Sequence, residues 1–135
     1  MEILNRPELL GKKILVIEDE EDTRALLVRH LKQAGYALIE AVDAESGLSL
    51  FREWQPDLVI LDLILPGMSG LEFLQKVKSG PISCKVPIVV LTAKDEAVDK
   101  IKGYRYGADY YLTKPCEMKT LLLTVETVLS EKNKS

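Results

Sequence analysis

Residues 58–67 read LVILDLILPG. Four apolar residues lead to Asp62, and Leu63, Ile64 and Leu65 separate that aspartate from a Pro66-Gly67 turn. An apolar run of this kind reads as a strand buried on both faces, the pattern of a parallel sheet, where a carboxylate is costly. The stretch therefore raises two questions: which strands flank it, and what offsets the charge of Asp62.

Upstream, residues 1–11 form a leader without clear periodicity, with Pro7 and Gly11 against one continuous helix. Lys13 to Ile17 (KILVI) reads as a buried strand, and the acids of EDEED then lie where the first turn of a helix favours negative charge. Ala25, Val28 and Leu31 recur at helical spacing, with Gly35 as the stop. Tyr36 to Val42 reads as a second strand, and Asp43 caps a helix that runs to about Trp54. Leu58 to Leu61 is the third strand.

Downstream, Ser69 caps a helix through about Lys78, and Gly80-Pro81 breaks the chain. Val86 to Leu91 is a fourth strand, followed by a helix expected over residues 95–106. Tyr110 to Leu112 is a fifth strand. The last helix is expected from Glu117 to Leu129, where Leu121, Val125, Val128 and Leu129 share a face, and residues after Ser130 read as a polar tail. Leu122 and Leu123 widen that apolar stripe, either as extra core or as a partner or dimer surface.

Five strand–helix alternations predict an α/β fold, a flavodoxin-like (βα)5 doubly wound parallel sheet with strand order 2-1-3-4-5. One domain over residues 12–130 is expected, with 131–135 as the tail. The 135 residues allow a single sizeable core, and the 47% apolar and 29% charged fractions are ordinary for a soluble protein. A net charge of -3 without basic clusters gives no sign of direct nucleic-acid binding. No apolar run approaches the roughly 20 residues that span a bilayer, and no export signal opens the chain, so no membrane association and a cytoplasmic location are expected. Cys84 and Cys116 have no metal-ligand spacing and read as reduced thiols. His30 has no histidine or cysteine partner in the sequence and reads as solvent-facing.

In such a sheet the functional crevice lies at the carboxyl ends of the strands, where strands 1 and 3 part. Strand 1 ends in Glu18-Asp19, strand 3 in Asp62, strand 4 in Thr92 and strand 5 in Thr113-Lys114-Pro115. Asp19 and Asp62 then face each other, and carboxylates about 4 Å apart repel by roughly 4 kcal/mol at an effective dielectric of 20. Two groups can offset this: a divalent cation, with Mg²⁺ the best match to an all-oxygen site, or the ammonium of Lys114. Carboxylates, Mg²⁺, a lysine and a strand-end hydroxyl suit phosphoryl chemistry, in which an aspartate can itself be the nucleophile.

The set IEDEE, LDLILPGMSG, VLTA and GADYYLTKP resembles the receiver domain of two-component response regulators, over about residues 12–130. The resemblance implies that Asp62 is the phosphoacceptor, supplied by a sensor histidine kinase or a phosphotransfer protein. It implies that Asp19 and Asp62 bind Mg²⁺ directly, with the Ile64 backbone carbonyl, and that Glu18 acts mainly through water. Thr92 and Lys114 would contact the phosphoryl group, and Tyr111 matches the switch aromatic, with a half-buried strand residue of no switch role as the lesser reading. A cis bond at Lys114-Pro115 is implied too. The switched surface would be the fourth helix, fifth strand and fifth helix, a possible homodimer face. Cys116 stands where the family often has Phe, and Ile64 and Lys94 occupy positions that tune self-dephosphorylation.

Two other functions compete. A Mg²⁺-dependent phosphatase with an aspartyl nucleophile would place a second aspartate two residues on, where this chain has Ile64. A phosphorylation-independent interaction module would have lost an acid, Asp62, Thr92 or Lys114, and all are present. A receiver is not expected to turn over substrates as an enzyme does. The downstream target is not readable, and the chain is expected to be either a free-standing receiver or the receiver segment of a longer regulator.

Overall fold

The branched apolar runs and helical stripes assemble in the computed structural model, which describes residues 6–81, 85–93 and 107–134, as one parallel sheet between helices. The strands are β1 (Lys13–Ile17), β2 (Ala37–Ala41), β3 (Leu58–Leu61), β4 (Ile88–Ala93) and β5 (Tyr110–Lys114), in the order β2-β1-β3-β4-β5. Helices α1 (Glu21–Gln33), α2 (Ala44–Trp54), α3 (Gly70–Lys78) and a C-terminal helix (Met118–Lys134) cover it. The expected strand order is therefore the observed one. The helix expected over 95–106, with Lys94 and Cys84, lies outside the described residues.

Alternation along the central strands divides the core. Ile14, Val16, Leu58, Ile60, Val89 and Leu91 face α1 and the C-terminal helix, through Leu27, Leu31, Leu121 and Val125. Leu15, Ile17, Val59, Leu61, Ile88 and Val90 face α2 and α3, through Leu48, Phe51, Phe73 and Leu74. Because both faces of these strands are covered, they read as continuous apolar runs rather than alternating ones.

The helix starts carry the caps expected of them. Asp43 accepts the Ser46 amide at 2.8 Å, and Ser69 accepts the Glu72 amide at 3.1 Å, each filling one orphan donor of a first turn.

Several boundaries differ from the sequence reading. Tyr36 is buried but donates its amide to Leu31, closing α1, so β2 begins at Ala37. Val86 and Pro87 precede β4 rather than open it, since Pro87 has no amide to give a neighbouring strand. At its other end β4 continues through Thr92 to Ala93, and β5 continues to Lys114. The C-terminal helix runs past Leu129 to Lys134, because Glu131 and Lys132 favour helix and nothing breaks it. The leader contains a 3-10 turn, Pro7–Leu9, and Leu9 is fully buried in the core. Among the described residues no helix is long and apolar enough to cross a membrane.

Candidate functional site

The carboxyl ends of β1, β3, β4 and β5 meet at one edge of the sheet. The Asp62 amide donates to the Ile17 carbonyl at 3.1 Å and the Glu18 amide to the Ala41 carbonyl at 3.1 Å, so β2, β1 and β3 run level into the site. Glu18 and Asp62 are buried, 2% and 6% exposed, while Asp19 is exposed. One carboxylate oxygen from each of Glu18, Asp19 and Asp62 lies within 4.8 Å of the others. At that spacing each pair repels by roughly 3 kcal/mol at an effective dielectric of 20.

Lys114 offsets part of this charge. Its ammonium lies 2.6 Å from Glu18 Oε1 and 2.8 Å from Asp62 Oδ2, bridging the two buried acids. Of the two neutralising groups left open by the sequence, the lysine is thus in place. One cation against three carboxylates still leaves net negative charge, and that all-oxygen donor set fits a hard divalent cation. The remaining oxygens are oriented by main-chain amides: Glu20 donates to Glu18 Oε2 at 3.1 Å, and Ile64 to Asp62 Oδ1 at 2.9 Å.

Burial pushes the Glu18 carboxyl above the usual carboxylate range; Asp62 adds to the rise, while hydrogen bonds from Lys114 and the Glu20 amide oppose it. Burial alone would lower the Lys114 ammonium, but its contacts with Asp62 and Glu18 outweigh burial and hold it above its ordinary value. The site therefore keeps Lys114 firmly charged.

Thr92 is fully buried at the end of β4, level with Thr113 of β5, and its Oγ1 has no hydrogen-bond partner among the described residues. Buried hydroxyls are normally satisfied, so an orphan hydroxyl at the carboxyl end of β4 is unusual. Tyr111 is half-buried against the α2–α3 side of the core, paired in register with Val90. Ile64 is half exposed. The Lys114–Pro115 bond is cis. Cys116 is a half-buried free thiol, raised by burial, and it borders an open pocket of about 340 Å³ with Leu26, Leu27, Leu91 and Met118. His30 is partly buried, and its Nδ1 lies 3.0 Å from the Leu26 carbonyl of its own helix.

Three supporting residues were not singled out from sequence. Gly70 opens α3 directly against the backbone of the Asp62 loop, where a Cβ would stand 2.5 Å from the Asp62 carbonyl oxygen. Glu45 reaches from α2 to accept the Met68 amide of the same loop at 3.3 Å. Arg24, on the first turn of α1, donates to the Glu18 carbonyl at 2.9 Å. All three depend on packing contacts that the sequence does not show.

Comparisons with known proteins point to one family. The model of the response regulator receiver domain matches residues 14–126. The phosphate regulon transcriptional regulatory protein PhoB of Pseudomonas aeruginosa is 37% identical over 121 residues, 90% of this chain and 53% of PhoB. The alkaline phosphatase synthesis transcriptional regulatory protein PhoP of Bacillus subtilis is 39% identical over 120 residues, 89% of this chain and 49% of PhoP. The chain spans about half the length of these curated relatives. Among solved structures, a CheY-like response regulator receiver domain protein from Methanospirillum hungatei superposes with a TM-score of 0.87 at 26% identity, covering 92% of this chain and 98% of that one.

Proposed function

The chain belongs to the response regulator receiver domain family, and from that premise we propose that Asp62 accepts a phosphoryl group from the phosphohistidine of a sensor histidine kinase or phosphotransfer protein. The supporting observation is the setting of Asp62: a nearly buried carboxylate held between the Ile64 amide and the Lys114 ammonium, with Glu18 and Asp19 beside it.

In this reading an Asp62 oxygen attacks phosphorus, the P–N bond breaks, and the imidazole nitrogen keeps the electron pair and takes up a proton. Asp19, Asp62 and the Ile64 carbonyl would hold Mg²⁺, with Glu18 acting through water, and the ion would neutralise charge on the acids and the phosphoryl oxygens. Lys114 turns from the acids toward a phosphoryl oxygen, as its flexible stem allows. Thr92 gives its orphan hydroxyl to another phosphoryl oxygen, and Tyr111 follows into the space Thr92 leaves. The phosphoryl group thereby biases a two-state equilibrium.

The readout surface includes β5 and the C-terminal helix, where Tyr110 and Leu123 are exposed. A protein partner, an output domain or a second copy would dock there, in a cytoplasmic signalling protein. The relatives are named as transcriptional regulators, so control of transcription through another segment or protein is the output we favour. Turnover of phosphate esters should be negligible, since Ile64 stands where an aspartyl phosphatase would place its second acid.

Borohydride trapping tests the assignment. Reduction of the acyl phosphate formed from acetyl phosphate should leave homoserine in the peptide containing Asp62. Homoserine at another aspartate would move the acceptor elsewhere.

A further inference from the structure

The reading of Asp19 and Asp62 as a metal site depends on how the turn after β1 is held, and its carbonyls are held by a side chain outside the acidic set. Arg24 Nη1 donates to the Glu18 carbonyl at 2.9 Å and reaches the Asp19 carbonyl at 3.5 Å, the limit of hydrogen bonding. Its Nε donates to Glu40 Oε1 at 3.0 Å, and the Arg24 side chain is only 14% exposed. Glu40 precedes Ala41, whose carbonyl takes the Glu18 amide at 3.1 Å. The last two residues of β2 therefore fix Glu18 from both sides, Ala41 directly at the amide and Glu40 through Arg24 at the carbonyl.

We propose that Arg24 is a positioning residue for the divalent cation: the Glu40–Arg24 clamp fixes the Glu18–Asp19 turn so that the Asp19 carboxylate meets Asp62. This rests on the metal-assisted reading above. A planar guanidinium can span two carbonyls and a carboxylate, which a lysine ammonium on a flexible stem cannot do in fixed geometry. Partners that orient metal ligands are commonly worth about 10- to 100-fold in metal affinity.

Charge alone and clamping make different forecasts for the two Arg24 variants, while Glu40→Ala weakens binding under both. Arg24 is a cation near an acidic site, so through charge alone Arg24→Gln would tighten Mg²⁺ binding, Arg24→Lys would leave it unchanged, and Glu40→Ala would weaken it. Through the clamp, all three weaken it. Arg24→Gln combined with Glu40→Ala should be no worse than Arg24→Gln alone, because the two side chains act as one unit.

The test is calorimetric titration of Mg²⁺ into the unphosphorylated full chain, with folding of each variant checked by circular dichroism. We expect the dissociation constant to rise about tenfold in Arg24→Lys, Arg24→Gln and Glu40→Ala. Acetyl phosphate labelling should still approach the native extent at saturating Mg²⁺, which a general loss of structure would not allow. Native-like or tighter Mg²⁺ binding in folded Arg24→Lys and Arg24→Gln would overturn the clamp and leave the receiver reading standing. Failure of the native chain to bind Mg²⁺ would overturn both.

Discussion

The Lys114 ammonium lies 2.8 Å from Asp62 Oδ2, although 52 residues separate them in the chain. β4 stands between their strands, and the contact is made over its end. Lys114 also holds Glu18 at 2.6 Å, so one cation ties three strands together at the crevice.

Lys114→Ala should therefore leave two buried acids without their cation. Removing one partner of a buried pair commonly costs 3–5 kcal/mol; with Lys114 26% exposed to screening solvent, a loss of about 2 kcal/mol is expected. Urea denaturation with and without Mg²⁺ checks this. The loss should shrink when Mg²⁺ is present, because the ion takes over the neutralisation.

Gly70 offers a sharper structural test. In a helix, Gly→Ala ordinarily stabilises by about 0.5–1 kcal/mol. Here a Cβ would stand 2.5 Å from both the Asp62 carbonyl oxygen and the Leu63 Cα, backbone atoms that move only with the loop. Gly70→Ala should reverse the sign and cost about 1–3 kcal/mol. It should also slow phosphoryl acceptance, which thermal melts and adduct formation can follow separately.

Asp43 gives a pH signature. Hydrogen bonds from the Ser46 hydroxyl and amide hold its carboxyl below the usual range. A depressed folded-state value means stability that is full above the unfolded-state value and is lost as pH falls through the folded-state one. Asp43→Ala should thus melt lower than the native chain in neutral buffer, with the gap narrowing in acid below the carboxylate range.

Leu9 tests how firmly the N-terminal segment belongs to the domain. It is fully buried among residues of α1 and the C-terminal helix. Leu9→Ala should cost about 2–5 kcal/mol by chemical denaturation, as a core truncation does, whereas a detached leader would show no change.

Much of this architecture was legible beforehand because the informative residues sit where local pattern is strongest. KILVI and LVIL are buried on both faces and their ends were easy to find, and strand order then brings Glu18, Asp19, Asp62 and Lys114 together. Leu9 was illegible because the apolar residues of the leader, Ile3, Leu4, Leu9 and Leu10, show no helical or strand periodicity. The Arg24–Glu40 contact was hidden because it depends on the register of β2 against β1, which sequence spacing does not specify. Gly70 drew no reading from sequence, because its demand for a missing side chain appears only once α3 packs on the Asp62 loop.

The most direct measurement is intact-protein mass after incubation with acetyl phosphate, with and without Mg²⁺, for the native chain and Asp62→Asn. A single phosphoryl adduct that requires Mg²⁺ and disappears in Asp62→Asn is the expected result. An equal adduct in the folded variant, or none in the folded native chain with Mg²⁺ present, would contradict phosphoryl acceptance at Asp62.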